Sequence, residues 1–156
     1  MNRQWILGFI ESQGCFSIRF SKNNGKLGYQ VSPEFLVKTS HNNLNILEKL
    51  HDYFQVGHIY NDNGSFVWKV TKHKEVEEIA LFLNSMHFVS PVKRKQFEYW
   101  FNAINLMQKK YHLAKNGLLE IARLRELMHD KNLWNKQHFC NIRLELDPCK
   151  PYQELG

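Results

Sequence analysis

The sequence predicts an α+β fold: an antiparallel four-stranded sheet with helices packed on one face, in the order αββαββα. Three observations predict it. The apolar spacing switches repeatedly between a helical period and strict alternation. Two Asn-Gly turns each separate a pair of alternating segments. Amphipathic stretches precede and follow each of those pairs.

The first element runs from about Arg3 to Gln13, with Trp5, Ile6, Phe9 and Ile10 at helical spacing, and stops at Gly14. Cys15–Ser21 then alternates, placing Phe16, Ile18 and Phe20 on one face and Ser17, Arg19 and Ser21 on the other. Lys22–Lys26 is turn chemistry, and Asn24-Gly25 is expected to adopt positive φ. The chain returns over Tyr29–Thr39 with Val31, Phe35 and Val37 inward and Gln30, Ser32, Glu34 and Lys38 outward. Pro33 in mid-strand suggests an edge or a bulge.

Leu44, Leu47, Leu50 and Phe54 mark a helix over Asn42–Phe54. A second hairpin reads Val56–Asn61 and Ser65–Thr71, joined by Asp62-Asn63-Gly64. In its returning arm Phe66, Trp68 and Val70 alternate with Ser65, Val67, Lys69 and Thr71. Val76, Ile79, Ala80 and Leu83 indicate a short helix. Ser90-Pro91 reads as an N-cap followed by proline at the first helical position of a longer one. A last amphipathic helix spans about Gly117–His129, and the tail after Trp134 is left unassigned. The expected organisation is one domain over residues 1–156, with a C-terminal helical and tail extension from about residue 112.

Charge narrows the function. Lys and Arg number 21 against 15 Asp and Glu, a net charge of +6, which points to a polyanionic partner, nucleic acid or an anionic membrane surface. No apolar run reaches the roughly 18 residues that cross a bilayer, so no membrane partner is expected. The N-terminal stretch meets Glu11 too early to read as a secretory leader. Cys15, Cys140 and Cys149 form no CxxC pair, which argues against a zinc site or a disulfide framework. The histidines show no metal-binding spacing, and no nucleophile triad or P-loop is present.

The outward sheet face carries Ser17, Arg19, Ser21, Asn23, Gln30, Ser32, Lys38, Tyr60, Lys69 and Thr71. Alternation alone is equally compatible with a merely solvated face. The basic surplus, together with residue types that read base edges and phosphates, favours nucleic acid. A two-stranded ribbon fits the major groove, and seven strand residues at ~3.3 Å each would follow about seven base pairs.

Trp5-Ile6-Leu7-Gly8-Phe9-Ile10-Glu11-Ser12-Gln13-Gly14-Cys15-Phe16 resembles the LAGLIDADG motif of homing endonucleases. The resemblance extends to Ser32–Lys38, to the Asn42–Phe54 helix, to Val56–Tyr60, to the basic segment Val92–Gln96 and to His112–Leu119. Gly8 and Ser12, small residues at i and i+4, let two such helices approach closely; the bland alternative is a glycine tolerated inside a core helix. With one motif in the sequence, the second helix is expected from a second copy. That implies a homodimer reading a pseudo-palindromic double-stranded DNA target.

The resemblance further implies an acid just before the final glycine of the motif, holding divalent cations, Mg²⁺ above all, that activate water. Gln13 stands there. An amide offers a carbonyl oxygen without charge, and the backbone carbonyl of Ser12 is a further metal-ligand candidate. Glu11 lies about 200° away around the helix and cannot simply substitute. Lys93 resembles the family's active-site lysine, although Arg94 and Lys95 compete for that role. Lys38 or Thr39 falls where the family places a polar residue that organises water.

The expectation is a site-specific homing endonuclease of an organelle genome, in a copy that folds, dimerises and binds DNA but cleaves weakly or not at all. An intron-RNA-binding maturase and a non-cleaving DNA-binding protein are the alternatives.

Overall fold

A computed structural model of the chain describes residues 1–129. Its elements are α1 (Arg3–Gln13), β1 (Gly14–Lys22), β2 (Tyr29–Ser40), α2 (Leu44–Phe54), β3 (His58–Asp62), β4 (Ser65–Val70), α3 (His73–Asn84), α4 (Pro91–Gln108) and α5 (Lys115–Met128). Single 3-10 turns precede α2 and α5. The two hairpins form one four-stranded sheet in the order β1-β2-β4-β3, with β4 antiparallel to both β2 and β3. The mixed αββαββα architecture expected from periodicity is what forms. The tail after Trp134 lies outside the described residues.

The described residues gather into two compact units, one of Met1–Arg19 and Ser32–Phe97, the other of Phe20–Val31 and the chain from Glu98. In the first unit, α1 is started by Asn2, whose side-chain oxygen accepts from the backbone N–H groups of Gln4 and Trp5 at 2.8 and 3.2 Å. The helix buries Ile6, Leu7 and Ile10 and leaves Gly8 and Ser12 exposed. Phe16, Phe35 and Trp68 extend the core across the buried sheet face. Phe35 meets Trp68 edge-on at 5.7 Å, and Phe54 of α2 stacks on the other side of that indole at 5.6 Å. Leu47 and Leu50 of α2 and Val76, Ile79 and Leu83 of α3 complete it, all inaccessible to solvent.

Pro33 sits in β2, which is interior to the sheet and not an edge. The β2–β4 ladder begins only at Phe35 opposite Val70, so Pro33 lies past the end of β4 and its missing N–H costs no bond on that side. In the β3–β4 turn Asn63 and Gly64 take φ of 51° and 87°, as an Asn-Gly hairpin requires. Gln55 ends α2 in the left-handed conformation, and Gly57 follows at φ 77°. Trp68 Nε1 donates to the Val56 carbonyl at 2.9 Å, and the Glu75 carboxylate accepts the Gly57 N–H at 3.0 Å. These two bonds fix the entry into β3.

In the second unit the tip of the first hairpin differs from expectation. Asn24 and Gly25 keep negative φ, and Gly28 carries the positive value, 77°. The loop is longer than a two-residue turn: Asn23 N–H bonds the Gly28 carbonyl, while the Asn23 side chain accepts from Gly25 N–H at 3.0 Å. Trp100, Ala103 and Ile104 of α4 and Leu118, Ile121 and Ala122 of α5 are buried in this unit. A Cβ at Gly117 would collide with the Tyr111 carbonyl, so the first turn of α5 needs glycine.

Gly57 is the more demanding glycine. An alanine Cβ there would stand 2.6 Å from the Lys69 carbonyl oxygen and 2.8 Å from Trp68 Nε1, on top of the left-handed strain. Gly57→Ala is expected to destabilise the protein by about 2 kcal/mol or more. A melting curve should fall by about 4 °C or more, and an unchanged midpoint would show that the α2–β3 turn is not so constrained.

Candidate nucleic-acid interface

Two features of the first unit carry the residue types that could act on a polyanion: the junction of α1 with α4, and the outward face of the sheet. At the junction, Ser90 caps α4 by accepting the Lys93 backbone N–H at 3.2 Å, with Pro91 at the first helical position. Glu11 Oε1 accepts the backbone N–H groups of Val89 and Ser90, both at 2.7 Å. Its negative charge therefore meets the positive end of α4. From the first turn of α4 the Lys93 ammonium reaches back and donates to the Gly14 carbonyl at 2.7 Å.

Gln13 closes the same helix end, exposed, with its amide Nε2 donating to Ser12 Oγ at 3.1 Å. The structure thus brings Ser12, Gln13 and Lys93 together. Cys15, the next exposed residue, has its thiol pushed up from the ordinary range by desolvation, which Lys93 opposes. That keeps it a poor nucleophile.

The oxygen donors this chain supplies at the junction do not suit a resident divalent cation. Gln13 offers a neutral amide, Ser12 and Gly14 offer neutral carbonyls, and the Gly14 carbonyl already accepts from an ammonium. The Glu11 oxygen that accepts from α4 is engaged by two N–H groups. Among the described residues no group of three His, Cys, Asp or Glu side chains could hold a metal. A hard cation such as Mg²⁺ favours carboxylates, and the one carboxylate in this set is turned to the start of α4.

The outward face behaves as alternation predicts, with one exception and one addition. Ser17 and Arg19 on β1 and Ser32 on β2 turn away from the core, as do Lys69 on β4 and Tyr60 on β3, while Thr71 follows the end of β4. Across the ladder Lys69 is flanked by Leu36 and His58, and Val67 by Lys38 and Tyr60. Val67 is the exception, because those longer neighbours bury it although it points outward. Ser21, Asn23 and Gln30 belong to the second unit, where Asn23 and Gln30 are exposed and Ser21 is half-buried.

Lys38 donates to the Asp62 carboxylate at 3.0 Å across the sheet, and no described contact ties it to Gln13. Thr39 turns to the buried face, opposite Phe66.

The addition is Glu34. It points outward between neighbours of opposite charge and is only 5% exposed. Its Oε1 lies 3.6 Å from Arg19 Nε and its Oε2 lies 3.3 Å from Lys69 Nζ. These three line a polar groove of about 500 Å³ together with Ser32, His58, Tyr60 and Thr71. In the sequence Glu34 is one of several outward polar residues, and an acid on a basic face gives no cue to importance. Alternation placed it correctly; only the register across strands shows its two cations.

Residues 6–104 match the family model described as LAGLIDADG endonuclease. A Neurospora crassa protein, "Probable intron-encoded endonuclease 3", is 28% identical over 122 residues, covering 77% of this chain and 23% of the relative. A Podospora anserina protein, "Uncharacterized 50.9 kDa protein in ND4 intron 1", is 28% identical over 115 residues, covering 71% of this chain and 25% of the relative. The chain therefore spans about a quarter of the length of these relatives. Among solved structures, the homing endonuclease I-TnaI superposes with a TM-score of 0.85 at 24% identity, covering 94% of this chain and 98% of that one, a likeness of fold. I-SmaMI bound to uncleaved DNA target in the presence of calcium ions gives 0.83 at 25% identity, covering 98% of this chain and 51% of that one. I-GzeII in complex with its DNA target gives 0.76 at 28% identity, covering 82% and 45%.

Glu11→Ala leaves two N–H groups at the start of α4 without their charged acceptor. The expected cost is on the order of 2 kcal/mol in a urea titration. Glu11→Gln, which keeps the oxygen and loses the charge, should cost less than half of that. Equal effects of the two variants would show that the charge at the helix end contributes nothing.

Proposed function

This chain belongs to the LAGLIDADG endonuclease family, and on that premise we propose that it is the double-stranded-DNA-binding unit of a homing endonuclease whose own strand scission is lost or much reduced. The observation that carries the second half of this reading is the neutral donor set around Gln13. The first half rests on the outward sheet face with its Arg, Lys, Ser and Gln side chains, and on DNA-bound relatives of the same fold.

The working assembly in this reading pairs two such units through α1. Gly8 is exposed and a Cβ there would meet nothing within 4 Å, so the chain itself makes no use of the missing side chain. Exposed Ser12 lies one turn further along the same face. Solved chains that this one covers only by about half, at 51% and 45%, support a two-unit arrangement. The second unit is taken to be another copy, giving a target of approximate two-fold symmetry. Relatives described as intron-encoded or lying in an intron support an organellar intron origin for this chain as well.

On the duplex, the sheet face supplies the phosphate and base contacts, and α1 delivers its C-terminal end to the target centre. There Lys93, held at the Gly14 carbonyl, presents a positive charge that would stabilise a phosphate. Gln13 can donate and accept hydrogen bonds but brings no charge to draw a cation to that phosphate. Binding then survives while hydrolysis does not.

Replacing Gln13 by Glu tests this directly. In Mg²⁺, Gln13→Glu should nick or cut a plasmid carrying a bound target at least about tenfold faster than the native chain. Both proteins should bind the uncut duplex within about threefold of each other, and their affinity should fall steeply with salt. An inert Gln13→Glu beside an efficiently cutting native protein would overturn the catalytic reading. Preferential capture of structured intron RNA over duplex would overturn the DNA reading.

A further inference from the structure

We propose that Glu34 is a positioning residue that holds Arg19 as a reader of one guanine in each half of the DNA target; this rests on the DNA-binding reading above. Glu34 is the anomaly of the outward face. A carboxylate there repels phosphates, and burying it costs desolvation, so a basic binding surface gains nothing from it as a simple contact. Both of its oxygens face cations, Arg19 at 3.6 Å and Lys69 at 3.3 Å. With 5% of the residue exposed, it has no free edge to accept from a cytosine amino group.

Its effect is exerted through Arg19. The pairing engages Nε, on the inner edge of the guanidinium, while the Arg19 side chain stays 61% exposed. The outer edge, with its Nη groups, meets no acceptor among the described residues. A planar fork held from behind and open in front is the arrangement that suits the O6 and N7 acceptors of guanine in the major groove. The Lys69 ammonium, at 22% exposure, fixes the other oxygen of Glu34 and keeps the carboxylate from swinging away. The groove around them is polar and open, with Ser32 and Tyr60 on its walls.

Strand geometry also says where the guanine should lie. Arg19 stands five residues along β1 from Gly14, where α1 ends. At ~3.3 Å per residue that is ~17 Å, or about five base pairs from the point beneath the helix end.

Selection of bound duplexes from a pool with a randomised central segment, using the full chain, tests the assignment. The native protein should enrich guanine about five base pairs from the target centre in each half. Arg19→Lys keeps the charge and loses the fork. It should lower the preference for guanine at that one position by about tenfold to a hundredfold and leave the rest of the selected sequence intact. Glu34→Gln keeps the shape and loses the charge, and should weaken the same position by about tenfold. A Glu34 that is only structural would instead lower affinity evenly across all positions, and that result overturns the proposal, as does a selected site without guanine there. If Glu34→Gln does not fold, Glu34→Asp, which keeps the charge and shortens the reach to Arg19, should weaken the same position instead, and an unchanged preference there would overturn the proposal. Enrichment of no duplex at all would remove the DNA-binding reading itself, a different result from enrichment without the guanine.

Discussion

The end of α1 is held against the start of α4 by three hydrogen bonds that run in both directions, and the rest of the site depends on them. Glu11 gives its carboxylate to the N–H groups of Val89 and Ser90, and Lys93 returns its ammonium to the Gly14 carbonyl. Each bond places a full charge against the complementary partial charge of a helix end or backbone dipole. Together they fix the end of α1, and Lys93 is bound at Gly14, the residue next to Gln13. Glu11 is thereby a structural anchor of the junction, while Gln13, where the proposed function places the chemistry, carries an amide.

In the proposed reading, that separation lets such a chain retain its fold and surface while losing the reaction. Gln13 is exposed and its side chain bonds only the neighbouring Ser12, so nothing in the core registers the change from acid to amide. Glu34 shows the opposite economy. It sits on the outward face of the sheet, yet it is buried and ion-paired to Arg19 and Lys69. Charge on this sheet is organised in pairs, and Lys38 with Asp62 repeats the pattern towards the β3–β4 turn. A basic surface that restrains its own cations loses less side-chain freedom when it binds, which favours selectivity over bulk attraction.

Much of this was legible in the sequence because the period of apolar residues is a direct image of burial. Phe16, Ile18 and Phe20 announced β1, and the Ser90-Pro91 pair announced the start of α4. The Gly8–Gln13 motif marks the end of α1, where the junction lies. What the sequence hid depends on distance in the fold. Pro33 reads as an edge or bulge signal, because β4's stopping short of it is a fact of register. Asn24-Gly25 looked like a tight turn, while the loop closes through Gly28. Neither Glu11 with α4 nor Glu34 with Lys69 could be paired by spacing, since the partners are far apart in the chain.

The central claim is that DNA recognition persists in this chain without the carboxylate that scission needs. The most direct measurement follows the native protein alone on a supercoiled plasmid bearing a duplex it has itself selected, in EDTA and then in Mg²⁺. The account predicts sequence-specific retention of the plasmid in both conditions, with the supercoiled form left intact. Rapid conversion to the linear form in Mg²⁺, or binding that vanishes when divalent cations are removed, would contradict it.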